Sequence, residues 1–450
     1  MKTLRIACGA GFADDRIQYG IDLVNYGEID YIVFECLAER TIAEAQMAKV
    51  KNPELGYNKW LKYRIDPILK KAKEKKIKII TNMGAANPLG ATKKIIEIAR
   101  NQGISNLKIA TVTGDDVLEK VRKLDPIILE NGKKVSELGF EKTVSANAYL
   151  GSSPIVQALS NGADIVITGR VADPSLFLSP IIYEYNIAPD NWNLLGKGTC
   201  AGHLMECGTY VTGSYFADPG VKDVKGLDSV SPPICEFEKN GDFVLTKLPN
   251  SGGEISTRTC SEQILYEVHD PTKYITPDVI ADFSRVKFDQ IEKDKVKVTG
   301  ASGNHKTNTL KVAIGYNDST VITGQVSYAG FGCVDRAKLT AEVALKRLKR
   351  FNMPITEEKI DIIGYNSVFE ENFYPNYVIP NEVRLRVAVR TNTNDENTIA
   401  FILNEIRAVV GHNGSASYGG SEWDVKKIIA IKSTLIPRDM IEHRIHFMEV

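Results

Sequence analysis

The chain has 450 residues, 43% hydrophobic and 25% charged, the balance of a globular protein too long for one ordinary core, so about two or three domains are expected. Its 56 basic and 56 acidic residues cancel, which argues against a global field drawing it to nucleic acid or a membrane and makes any anion site local. No apolar run approaches the ~20 residues of a membrane span, and the opening MKTLRIACGAG is too short and polar for a secretory leader; with seven cysteines and no CxxC pair, reduced thiols in the cytoplasm are expected.

The first ~180 residues repeat a short β-branched run, a polar turn and a helical pattern, the signature of βα units on a largely parallel sheet. The runs are Leu4–Cys8, Tyr31–Cys36, Ile77–Thr81, Leu107–Val112, Thr143–Ala146 and Ile165–Thr168. Helical stretches follow at Arg16–Tyr26, Thr41–Val50, Gly90–Asn101, Val117–Leu124, Pro154–Ser160 and Pro174–Tyr185. Near-continuous apolar strands fit a sheet covered on both faces. The irregular spacing favours an open, doubly wound α/β sheet over residues 1–190, with a partial barrel as the alternative.

Residues 191–300 change texture to glycine, proline and aromatic residues, and read as a loop-rich insertion or cap. Residues 301–450 read as an α+β domain, with a ferredoxin-like order as its candidate arrangement. Its expected strands are Leu310–Tyr316 and Val321–Tyr328, joined as a hairpin at Asn317-Asp318-Ser319, then Ile360–Ile363, Val383–Val389 and Lys427–Ile431. Helices Ala337–Phe351 and Asp395–Val410 alternate with them. Leu310, Val312, Leu339, Val343 and Leu385 are expected to share its core.

In parallel α/β sheets ligands bind beyond the carboxyl ends of the strands, so the residues just after each run are the first candidates. They are Asp14 and Arg16, Glu35 with Glu39 and Arg40, Asn82 and Asn87, Asp115 and Asp116, Asn147, and Arg170 with Asp173. Asp and Asn also cap helices and turns, which competes with a site reading at each position. Gly9 and Gly11 let backbone N–H groups approach an anion, or simply make a tight turn. Arg170 either grips a carboxylate or phosphate or pairs with a neighbouring turn carboxylate.

His203, Glu206 and Cys207 lie at i, i+3 and i+4 and would share a helix face, able to work as acid and base, to bind a metal or to activate a thiol. No HExxH, Walker loop or full GxGxxG accompanies them, so no dedicated cofactor motif is present, while a divalent metal stays open. The turn Asn250-Ser251-Gly252-Gly253 could close over a substrate.

The phrases IACGAGFADDR, DYIVFECLAERTIAEAQ, IITNMGAANP, VTGDDVL, SANAYLG, IVITGRVADPSLFL, TCAGHLMECG, LYEVHDPTKYITPDVIADF and LIPRDM run in order along nearly the whole chain. Together they resemble the acyclic terpene utilisation (AtuA) family. The resemblance implies a setting of acyclic terpene breakdown through coenzyme A thioesters, and a small companion subunit encoded separately. A family glycine loop near Leu248 reads LPNSGGE here, so Gly252 and Gly253 carry over while the residues before them depart.

The leading expectation is an enzyme of organic-acid or acyl-CoA catabolism on a small anionic substrate, a hydro-lyase using acid–base chemistry. The catalytic set is then His203, Glu206, Asp115 and Glu35, and Gly9, Gly11, Asp14, Arg16, Arg40, Asn82, Asn87, Asp116, Asn147, Arg170, Asp173, Gly252 and Gly253 bind substrate. The alternative is a non-catalytic acyl- or nucleotide-binding subunit of a larger complex. The expected setting is a homo-oligomer with no nucleic-acid or membrane partner.

Overall fold

The computed structural model describes residues 3–369, 380–412 and 418–450. All six early runs form strands: β1 (Leu4–Ala10), β2 (Tyr31–Phe34), β3 (Lys78–Thr81), β4 (Lys108–Thr113), β5 (Thr143–Ala148) and β6 (Ile165–Ile167). Five of them pair in parallel in the order β1-β2-β3-β6-β4. The sixth, β5, leaves that sheet and pairs with a later strand, so the run of like βα units is broken there.

Alternate residues of the parallel strands feed two separate cores. Ile6, Tyr31, Val33, Ile80 and Val166 join one; Ala7, Ile32, Ile79, Ile165 and Ile167 join the other. Both faces of the sheet are therefore covered, which is why its strands lack polar alternation. Helices Ser153–Ser160, Asp173–Tyr185 and Trp192–Glu206 supply the first core; helices Gln18–Tyr26 and Pro88–Asn101 supply the second.

Residues 191–300, expected to be loop-rich, also build sheet. They contribute β7 (Pro233–Phe237), β8 (Phe243–Lys247), β9 (Tyr274–Ile275), β10 (Ile280–Asp282), β11 (Lys287–Glu292) and β12 (Lys295–Thr299). β7 adds antiparallel to β1, and β8, β12 and β11 follow outward. β9 and β10 form a small separate sheet with β13 (Ser302–Asn304). The result is a mixed α/β architecture around a ten-stranded sheet.

The chain divides into two compact units, residues 1–315 with 431–450, and residues 316–430. The second runs β-α-β-β-α-β: β14 (Thr309–Ala329), helix Cys333–Arg350, β15 (Ile355–Ile363), β16 (Glu382–Thr391), helix Glu396–His412 and β17 (Tyr418–Pro437). Its strand order is β15-β16-β14-β17, the split βαβ pattern. The last strand, β18 (Arg444–Glu449), returns to the first unit and pairs antiparallel with β4.

The hairpin expected at Asn317-Asp318-Ser319 does not form: these residues stay inside β14. Arg390 on β16 donates to Asp318 at 2.8 Å and to Ser319 Oγ at 2.7 Å, so the polar residues serve a cross-strand contact instead of a turn. The expected joint core fails with it. Val312 packs with Val117, Val121 and Ile436 in the first unit, and Leu385 with Val326 and Ala341 in the second. Leu339 is 52% exposed.

Candidate functional site

Beyond the carboxyl ends of the parallel strands, the polar turns meet in one buried hydrogen-bond network. Asn82 donates to Glu35 Oε1 at 2.8 Å, and its own oxygen accepts from the Cys36 amide at 2.7 Å. Glu35 Oε1 also accepts from the Leu37 amide at 2.9 Å. Asp115 Oδ2 accepts from Asn147 Nδ2 and from the Arg170 amide, both at 2.9 Å. The Arg170 guanidinium donates to the Val171 carbonyl at 2.9 Å, to the Leu37 carbonyl and to Asp173. The ring centroid of Tyr149 lies 4.4 Å from its central carbon. At 1% exposure, Arg170 is a wholly enclosed cation. Of its two sequence readings, the ion pair with a neighbouring carboxylate is the one present.

Burial pushes the carboxyls of this network up. Glu35 lies well above the ordinary glutamate value, first through desolvation and then through repulsion by Asp173. Asp115 is raised to about 6 by the same desolvation, opposed by its hydrogen bonds from Arg170 and Asn147.

A cavity of about 320 Å³ opens beside the network, lined by Glu39, Tyr149, Asp173, Glu267, Tyr274 and Lys311, with Pro277 and Leu310 among its apolar walls. Glu39 and Asp173 each stand at the first position of a helix, where the dipole favours a carboxylate. Pro174, at the next position, brings the fixed φ that suits a helix start. The two carboxyls nevertheless differ. For Glu39, burial acts upward but is outweighed by the Tyr149 hydroxyl and the charges of Arg170 and Lys311, which hold it at about 2. For Asp173, burial dominates over the Arg170 charge, and the group is raised to about 6. Its side chain is still 36% exposed. It is thus a carboxyl with a proton affinity near neutrality that can reach a ligand.

The expected group at His203 is also a real constellation. His203 Nδ1 lies 3.0 Å from Glu206 Oε1, and the ring packs on Tyr274 and Phe283 at 4.9 and 5.6 Å between centroids. His203 Nε2 and Glu206 Oε2 have no hydrogen-bond partner among the described residues. Desolvation lowers His203 to about 4 and raises Glu206 well above its usual range, so the pair is held neutral. Burial pushes the Cys207 thiol up, which works against an activated thiolate. Neither His203 nor Glu206 lines the cavity; they stand behind Tyr274 and Pro174, where Gly202 leaves no room for a Cβ against Pro174 (2.6 Å).

Other candidates lie elsewhere or carry local structure. The glycines of the first turn serve close packing: a Cβ on Gly9 would meet the Phe34 ring at 2.5 Å, and one on Gly11 the Cys207 backbone at 2.3 Å. The amides of Gly11 and Arg16 are taken by the chain's own Asp15 carboxylate at 2.9 and 2.8 Å. Gly11→Ala should accordingly cost about 1–3 kcal/mol of stability, read as a lowered denaturant midpoint. An unchanged midpoint would show that the two turns can slide apart.

Asp14 pairs with Lys59 at 2.9 Å, and Arg40 with Glu44 at 3.7 Å on an exposed helix face. Arg16 reaches the Leu227 carbonyl at 3.4 Å. Asn87 caps helix Pro88–Asn101 by accepting from Gly90 at 3.0 Å, and Asp116 accepts from Gln46 at 3.0 Å. Gly252 and Gly253 pack on Gly226 and Thr212 and do not line the cavity.

Tyr149, Glu267, Tyr274 and Lys311 escaped the sequence reading. Tyr149 sits two residues after a singled-out asparagine, and Glu267 and Tyr274 lie within the phrase LYEVHDPTKYITPDVIADF, where no residue was singled out. Lys311 is the exposed residue between buried Leu310 and Val312, a strand alternation that could have flagged it. Among the described residues no group of three or more His, Cys, Asp and Glu could hold a metal ion, and no helix is long and apolar enough to cross a membrane.

The family model described as acyclic terpene utilisation family protein AtuA matches residues 4–447. No curated protein matches the sequence. Among solved structures, the de novo designed protein Foldit4 aligns over 25% of this chain and 99% of its own at 14% identity, with a TM-score of 0.18.

Proposed function

The chain belongs to the acyclic terpene utilisation family AtuA, and in that setting we propose that it is an acid–base enzyme of hydro-lyase type working in the Asp173 cavity. The observation that carries this reading is the placement of the Asp173 carboxyl, on the cavity wall, paired with buried Arg170 and still 36% exposed, with burial raising its proton affinity. Its carboxylate removes a proton from the carbon beside a carbonyl. The carbon–oxygen bond of the neighbouring hydroxyl then breaks, a double bond forms, and the departing hydroxide receives that same proton and leaves as water. Tyr274 and Lys311 face the cavity as donors for the carbonyl oxygen, where charge develops. Glu35, Asp115, Asn147 and Arg170 act as positioning residues that hold Asp173 and its helix start. The His203–Glu206 pair backs the Tyr274 wall. The substrate is an organic acid or its thioester, presented with a hydroxyl or double bond next to the carbonyl.

The test is to mix the protein with 2-enoyl and 3-hydroxyacyl thioesters and with unsaturated dicarboxylates while following alkene absorbance. Turnover of at least one is the expected result. Saturable binding of these compounds without any absorbance change would replace the enzyme by a non-catalytic acyl-binding subunit.

A further inference from the structure

The same cavity has a charge pattern that the acid–base reading leaves unused. Three carboxylates, Glu39, Asp173 and Glu267, line it against one ammonium, Lys311. That ammonium already lies 3.2 Å from Glu39 Oε1 and 5.0 Å from the Tyr149 ring centroid. Arg170 acts on Glu39 and Asp173 from behind the wall, but it is 1% exposed and its guanidinium donates to Asp173, Leu37 and Val171, so it offers a ligand no free donor, and three carboxylates still outnumber the two cations. A ligand carboxylate entering here would face an excess of like charge, which is a basis for rejection.

Two lining groups are, in contrast, open to a neutral partner. The Tyr274 hydroxyl and the Glu267 carboxylate make no hydrogen bond to other described residues. Glu267 also has a φ of 59°, in the left-handed region that a non-glycine residue adopts at a cost. Acceptors at Glu39, Asp173 and Glu267 with a phenol at Tyr274 match an alcohol, which both donates and accepts.

We propose that the cavity recognises a hydroxyl-bearing, uncharged segment of its substrate and rejects a free carboxylate. Any carboxyl group of the substrate therefore enters masked as an ester, thioester or amide, or stays outside the cavity. The proposal rests on the reading that this cavity is the reaction site, and it selects between the two substrate forms left open there.

The experiment compares two five-carbon probes, pentane-1,5-diol and glutarate, by saturation-transfer NMR on the whole chain and on its Glu267→Gln variant. The parent should bind the diol about tenfold more tightly than glutarate. Glu267→Gln should narrow that ratio to about threefold by admitting glutarate, because one repelling charge is gone while a polar side chain of the same size remains. Equal or tighter glutarate binding by the parent, no binding of either probe, or an unchanged ratio in the variant would each overturn the proposal. Turnover of free dicarboxylates would sink carboxylate rejection alone. Intact selectivity without turnover of any substrate would sink the reaction alone.

Discussion

Arg170→Ala should destabilise the protein by about 3–5 kcal/mol, the usual consequence of removing one partner from a buried ion pair. The deletion would leave Asp173 without its cation, Glu35 without the positive charge that opposes its burial, and the Leu37 and Val171 carbonyls without a donor. It would also empty the space beneath the Tyr149 ring. Arg170→Lys keeps the charge but cannot bridge three acceptors in different directions, so an intermediate loss is expected. Thermal and denaturant unfolding of the two variants check this. A variant that melts with the parent but loses ligand binding would return Arg170 to the role of a recognition group.

Asp173→Asn should lower turnover by about 10²–10⁴-fold, the range a positioned proton carrier contributes. The parent's pH profile supplies the sign. The proposed base is the carboxylate, so activity should fall about tenfold per pH unit below the Asp173 value of about 6 and level off above it. Asp173→Glu retains an ionisable carboxyl and should move that limb while keeping measurable activity. A merely structural aspartate would change stability and leave the parent profile without a limb in this range. Steady-state rates between pH 4.5 and 8.5, once a substrate is in hand, decide between the two.

The strands were easier to read than their partners. Each of the six early runs announces itself by β-branched residues and a following polar turn, and each is a strand. Nothing in Thr143–Ala146 tells that β5 pairs with β14 instead of its parallel neighbours, since pairing is decided by tertiary packing. The Asn-Asp-Ser signal in β14 failed for a related reason: Arg390, some seventy residues away, occupies those side chains.

The site shows the same division. Glu35, Asn82, Asp115 and Arg170 meet from turns after parallel strands and Asn147 joins them from β5, while Asp14, equally placed, pairs with Lys59 instead. They converge into a buried support, while the cavity wall draws on Glu267, Tyr274 and Lys311 from later parts of the chain. No local pattern marks a residue that becomes a neighbour only through a two-stranded return such as β9 with β10.

The return of β18 to β4 has a consequence for how the protein is made. During synthesis, residues 316–430 emerge complete and can fold before the first unit has received its final strand. Until Arg444–Glu449 arrives, β4 presents a bare row of amides and carbonyls at the margin of a sheet whose interior is otherwise finished. The nascent chain therefore carries a sticky edge for as long as the ribosome needs to read through the inserted unit and reach Arg444–Glu449.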